Sequence, residues 1–222
     1  MFSNLTGLIT LARSPHIIDH SVHIPYHIFM ARPREFEIDE ALDAAMELFW
    51  EKGYETTSVA DLTERLGIGR ASLYAAFGDK HELYLRALDR YVKTRDPDPV
   101  ELLSRPGPVL PAVRALIRAY AEESAADAKR RGCMIVNAAT ERLPGDAAVG
   151  RRVEAAWNAL ETALVSALLR ARAQGELAPD RDPRALARFI LVLLQGMRVV
   201  AKGGPDPDRL RDAADQALAL LT

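Results

Sequence analysis

The sequence predicts an all-α chain in two parts, a small helix-turn-helix unit followed by a larger helical body. Three observations carry this. Apolar residues recur at three- and four-residue spacing from Ile38 almost to the end of the chain, the period of helices buried along one side. No stretch alternates apolar and polar residues as a half-buried strand does, and no repeat is present. Glycine and proline mark most of the joints between the periodic stretches, where they end helices and start turns.

The chain has 222 residues, room for one small and one medium helical domain. It is 49% hydrophobic and 27% charged, an ordinary globular composition. Cys133 is the sole cysteine, so no disulfide forms within the chain, which fits a reducing cytoplasm. The longest apolar run, Phe189 to Leu194, stops at Gln195, so no membrane association is expected.

Residues 1–29 differ from the rest of the chain. They have neither a basic start nor a clear cleavage site of the secretory kind. His16, His20, His23 and His27 are four, three and four apart, one side of a helix, and imidazoles brought together can hold a metal. Pro15 and Pro25 work against a single helix there. The stretch is therefore read as a disordered extension, or one not natural to the protein, with Met30 as the natural start. No metal or other cofactor is expected.

The first helix is expected from about Asp39 to Lys52. Ile38, Leu42, Ala45 and Phe49 form its apolar stripe and Gly53 ends it. Trp50 and Tyr54 are expected to pack on the helix-turn-helix. Ser58 is a good N-cap for the second helix, with Asp61 in the capping-box position. Val59, Leu62 and Leu66 come next at helical spacing, and Gly67 suits the left-handed residue that ends a helix. A third helix starts at about Gly69 or Arg70. Leu73 and Phe77 share its inner face, which leaves Arg70, Ser72 and Ala75 pointing away. A helix with small and basic outward residues is slim enough to enter a DNA major groove. Asp79 caps a fourth helix from Lys80 to about Thr94, with Leu83, Ala87, Leu88 and Tyr91 inward.

Residues 96–111, DPDPVELLSRPGPVLP, are expected to form a domain boundary or a short irregular link. Beyond them Val109, Val113, Leu116, Ile117 and Tyr120 line one helix. A shorter one begins after Gly132 and stops at Leu143-Pro144-Gly145. Val153, Trp157, Leu160, Leu164 and Leu168 line a long helix ending near Gly175. Two more are expected, Pro183 to Lys202 and Asp208 to Leu221.

The stretch TSVADLTERLGIGRASLYAAFGDKHELYLRAL, with FEIDEALDAAMELFWEKGYETTSV before it, resembles the N-terminal DNA-binding domain of the TetR family of transcriptional regulators over about residues 34–92. The resemblance rests on Phe49, Gly53 and Tyr54, the Thr57-Ser58-Val59 entry, the Leu73-Tyr74-x-x-Phe77 run, and Lys80. It implies a DNA-binding head over residues 30–92 and a ligand-binding and dimerisation domain over 93–222. It further implies a cytoplasmic, ligand-released repressor that binds a near-palindromic operator as a homodimer. In the family the residues matching Tyr74 and Lys80 touch phosphates, and the one matching Thr57 often does. Arg70 and Ser72 are expected to reach bases or phosphates, and Arg32 and Arg34 to form a basic arm. Gly69, where Ser or Thr is frequent, and Ala75, where a larger polar residue is common, depart from the family pattern, so part of the specificity is expected to come from the Arg32/Arg34 arm or from DNA shape.

Charge pulls the other way. Residues 31–80 hold six Lys/Arg against eleven Asp/Glu, a net of −5, within a chain of net −2. This favours an alternative, a helical ligand-binding or adaptor protein that does not bind DNA.

Tyr120, Met134, Asn137, Trp157 and Phe189 are candidates for a pocket taking a small apolar or aromatic effector; plain core is the other reading. Cys133 heads a helix beside Arg130 and Arg131, a setting that suits a redox or electrophile sensor, although a small buried hydrophobe is the preferred reading. The apolar run on both sides of the Pro183–Lys202 helix suggests a partner. Phe189, Ile190, Leu193 and Leu194, with Leu210, Ala214, Ala217 and Leu221 on the last helix, are the expected dimer interface. No catalytic motif is present: there is no G-x-S-x-G, H-E-x-x-H or P-loop.

Overall fold

A computed structural model describes residues 35–94, 98–204 and 206–221. The extension over residues 1–29, its four histidines and the expected Arg32/Arg34 arm lie outside the described residues. Every described element is a helix.

The head is built by local signals. α1 (Glu35–Lys52) starts ahead of expectation and ends at Gly53, whose φ is 88°. α2 (Val59–Leu66) is capped by Ser58: its hydroxyl accepts from the Asp61 N–H at 3.0 Å, and the Asp61 carboxylate accepts from the Ser58 N–H at 2.8 Å. Gly67, at φ 65°, ends α2, and the N–H groups of Gly67 and Ile68 turn back onto the carbonyls of Glu64 and Thr63. This left-handed stop satisfies carbonyls that a helix end otherwise leaves open. α3 (Arg70–Phe77) begins two residues later, and Asp79 caps α4 (Lys80–Lys93) through the Glu82 N–H.

The proline-rich stretch is not irregular throughout. Asp98 accepts from the Val100 N–H and Pro99 occupies the first turn of α5 (Pro99–Ser104), where its missing N–H costs nothing. Then come α6 (Leu110–Ala126), α7 (Met134–Arg142), α8 (Ala147–Ala173), α9 (Pro183–Lys202) and α10 (Pro207–Ala219). Among the described residues no helix is long and apolar enough to cross a membrane.

Two apolar cores result. In the first, Phe49, Leu62, Leu73 and Leu83 of the head meet Met134 and Ile135 of α7 and Val149 and Val153 at the start of α8. In the second, α5, α6, α9 and α10 close around the middle and end of α8, with Ile117, Leu164 and Leu194 at its centre. α7 thus shares the core of the head, although 40 residues separate it from α4 in sequence.

The second core corrects the expected dimer seam. Leu210, Ala214, Ala217 and Leu221 are buried within this one chain, in the core shared with α6. The amphipathic stripe of α10 is taken up by its own body. On α9, Ile190 and Leu194 also point inward, and Leu193 is partly buried. Only Phe189 of that expected set is exposed, at 44%, and it belongs to an outward row with Val192 (70%), Val199 and Val200.

Candidate nucleic-acid interface

α3 turns Leu73 and Phe77 into the head and leaves Arg70, Ser72, Tyr74 and Ala75 on the outside. The side chains of Arg70, Ser72 and Tyr74 make no hydrogen bond or ion pair among the described residues, so their donors are available to another molecule. Lys80 opens α4, half-buried, with its Nζ 4.2 Å from the centre of the Tyr54 ring. Thr57 is a correction. It is fully buried, and its hydroxyl donates to the Gly53 carbonyl at 2.6 Å. It shapes the turn into α2 and offers nothing to a phosphate.

Much of the acid excess of the head is paired within the chain. Asp43 takes a two-pronged bond from Arg90 of α4, 2.7 Å on each side. Glu47 pairs with Arg131 at 2.6 Å, Glu51 with Lys129, Glu55 with Arg142, and Asp61 with Lys52 at 2.8 Å. Three of these cations belong to the body, on α7 and the loop before it. The carboxylates of Asp43, Glu47 and Glu51 on α1 therefore face α4 and the body.

Trp50 also faces that way rather than packing on the helix-turn-helix. Its indole N–H donates to the Gly132 carbonyl at 3.0 Å, the Arg131 guanidinium lies 3.8 Å above its ring, and Tyr91 meets it edge-on. Tyr54 packs between Phe49 and Tyr84 at the exit of α1.

A cavity of about 80 Å³ lies between α4, α5, α7, α8 and α9. Of the expected pocket residues only Trp157 lines it, together with Tyr91, Cys133, Ile135, Leu160 and Gln195. Met134 is packed in the first core. Tyr120 is buried under the Arg198 guanidinium in the second. The Asn137 side chain bridges the Arg131 carbonyl and Lys202, and Phe189 lies on the outer side of α9. Cys133 is buried at the head of α7. The missed wall residues come from separate helices, and nothing in their local sequence marks them as neighbours.

Known proteins match both parts. Residues 41–87 match the model of the bacterial regulatory proteins of the tetR family, and residues 109–217 that of the tetracyclin repressor-like C-terminal domain. The HTH-type transcriptional regulator YezE of Bacillus subtilis is 37% identical over 193 residues, spanning 86% of this chain and all of the relative. The chain belongs to the TetR family. The HTH-type transcriptional repressor ComR of Escherichia coli is 33% identical over 85% of this chain and 90% of its own. A cysteine mutant of the TetR family regulator CifR, solved in complex with 26 bp double-strand operator DNA, is 34% identical. It superposes with a TM-score of 0.75 over 86% of this chain and all of the other. For this TetR-family chain, α1–α4 are the part shared with the family's N-terminal model and α6–α10 the part shared with its C-terminal one.

The capping box at the entry to α2 has a pH signature. Hydrogen bonds from the Lys52 ammonium, then from the Ser58 hydroxyl and N–H, hold the Asp61 carboxyl well below the usual carboxylate range. A carboxyl depressed on folding adds stability above its unfolded pKa, and that contribution disappears as pH falls through the folded value. Asp61→Asn should therefore lower the unfolding midpoint at neutral pH. The gap from the unmutated chain should hold down to about pH 4–5 and close in stronger acid. Paired denaturation curves across that range check this; a gap that does not change with pH would rule out the ionised cap as its source.

Proposed function

We propose that this TetR-family chain is a cytoplasmic transcriptional repressor that binds a near-palindromic operator as a homodimer and is released by a small apolar or aromatic effector. One observation carries the DNA-binding part: α3 presents Arg70, Ser72 and Tyr74 exposed and with unpartnered side chains, while Asp43, Glu47 and Glu51 of α1 are paired on another side. Part of the acid excess that favoured a non-DNA adaptor is thereby offset by cations from α4 and the body. The repressor named among the relatives and the operator complex of CifR support the same reading. Arg70 is assigned to a base edge or phosphate, and Ser72, Tyr74 and Lys80 to phosphates, which position the head without reading sequence. No catalytic step is assigned.

The test is a footprint on the DNA upstream of the chain's own gene, followed by binding at several salt concentrations, where affinity should fall linearly on logarithmic axes. Arg70→Ala should cost about 1–3 kcal/mol and relax preference at one position. Tyr74→Phe should weaken all sequences alike. Full affinity and specificity in both variants would overturn this docking.

The dimer is assigned to the outward side of α9, where Phe189, Val192, Val199 and Val200 form an exposed apolar row. A monomer gains nothing from such a row, and a two-fold pairing buries it. Two heads would then meet half-sites roughly 34–36 Å apart. Val192→Asp should convert a dimer to a monomer in sedimentation at micromolar concentration with its helical content unchanged. A variant that stays dimeric places the interface elsewhere.

The effector is assigned to the cavity beside Trp157. Apolar and aromatic compounds should quench Trp157 fluorescence in a Trp50→Phe background. Operator DNA should weaken a true effector by the same factor by which the effector weakens DNA binding. A compound bound equally with and without operator is no effector.

A further inference from the structure

Glu141 sits in the last turn of α7, far in sequence from the helix-turn-helix, and no local sequence signal singles it out. Its carboxylate faces the exit of α1. One oxygen accepts from the Tyr54 N–H at 3.0 Å and the other from the Glu55 N–H at 2.8 Å. Two consecutive amides converging on one anion form a small concave anion site, and here a residue of the body fills it. The fit is close: a Cβ on Gly53 would lie 3.1 Å from one carboxylate oxygen, and Gly53 is also held at φ 88°. The next residue, Arg142, lies 4.3 Å over the Tyr54 ring and pairs with Glu55 and Asp146.

The turn held in this way carries the DNA-facing parts. Thr57 bonds back to Gly53 within it, and Ser58 opens α2. The Tyr54 ring supports the ammonium of Lys80, the proposed phosphate contact. At its other end α7 is also tied to α1: Gly132, one residue before the Cys133 cap, accepts from Trp50, and Arg131 pairs with Glu47. α7 contributes Met134 and Ile135 to the core of the head as well.

We infer that Glu141 is a positioning residue for DNA binding: by seating the Tyr54–Glu55 amides, it fixes the orientation of each head on its body and hence the separation of the two recognition helices. This rests on the proposed DNA-binding dimer. Glu141 touches no DNA in this role and acts through the turn.

The role predicts a split that simple destabilisation does not produce. Glu141→Gln keeps the volume but offers a single acceptor oxygen, and its amide donors confront the second N–H. Glu141→Ala removes both acceptors. In the full-length chain, amide exchange at Tyr54 and Glu55 should speed up roughly 10- to 100-fold in both variants. Exchange at Leu62 and Leu164, in the two cores, should stay as it was. Affinity for the footprinted two-half-site DNA should drop about tenfold, because the heads no longer hold their spacing and the second contact loses effective concentration. Affinity for a single half-site should change less than about twofold. Equal losses on the two DNAs, unchanged exchange at Tyr54 and Glu55, or full activity in Glu141→Gln would each overturn the role. If the unmutated chain shows no salt-dependent DNA binding, the DNA reading and this role fall together. If it binds and the variants bind alike, the role alone fails.

Discussion

The carboxylates of Asp43, Glu47 and Glu51 lie four residues apart along one side of α1, and each has a cation opposite it. These pairs are partly exposed, so each adds only about 0–1 kcal/mol to stability. The burial of Phe49, Leu62, Leu73 and Leu83 holds the head together far more strongly. What the pairs decide is direction and charge. A surface charge is felt over roughly 8 Å at physiological salt, and a carboxylate joined to a guanidinium presents little net charge beyond that. Arg90 belongs to α4, and Lys129 and Arg131 belong to the body. Undocking α1 from the body would therefore strip two of its carboxylates of their partners. A head of acidic composition meets a polyanion best while it stays docked.

α9 and α10 show how burial divides helices that look alike in sequence. Both carry apolar residues at helical spacing, and both invite an intermolecular reading. α10 has one stripe, and it is buried in the second core, mainly against α6. α9 has two: Ile190, Leu194 and Met197 face the body, while Phe189, Val192 and Val199 stand outside it. An apolar run reports that a helix is buried somewhere, not by what. The phase of α9 does distinguish its two sides, since Phe189, Val192 and Val199 repeat at three and seven residues, out of step with Ile190, Leu194 and Met197. For α10 no such internal clue exists.

The head is legible in the sequence because its signals are local. Ser58, Asp61, Gly67 and Asp79 act within a few residues of themselves, through caps and a left-handed turn that depend little on the rest of the chain. α5 escapes the same kind of reading: proline counts there as a breaker, whereas Asp98-Pro99 is a cap followed by the one helical position that suits proline. Thr57 is misplaced because a threonine at a helix entry can face outward or turn its hydroxyl onto the preceding carbonyl, and the two look the same in sequence. The cavity and the Glu141 contact are out of reach for a different reason. The cavity gathers residues from Tyr91 to Gln195 on five helices, and the Glu141 contact reaches back to Tyr54; single-sequence periodicity carries no information on such pairings.

Size links the cavity to the head. About 80 Å³ holds only a very small molecule, so an effector of aromatic size must move a wall. The walls include the end of α4, the start of α7 and the middle of α8. α8 is long and is anchored in both cores. α7 has nine residues and spans about 13 Å at the helical rise. A helix that short moves as a rigid piece, because bending it would break a large share of its few internal hydrogen bonds. Displacement at Cys133 and Ile135 therefore arrives at Glu141 with little loss, and Glu141 meets the Tyr54–Glu55 turn directly. Under the proposed function, the path of least resistance for a growing cavity runs along α7 into the head, and α4 moves with it because Tyr91 packs on Trp50.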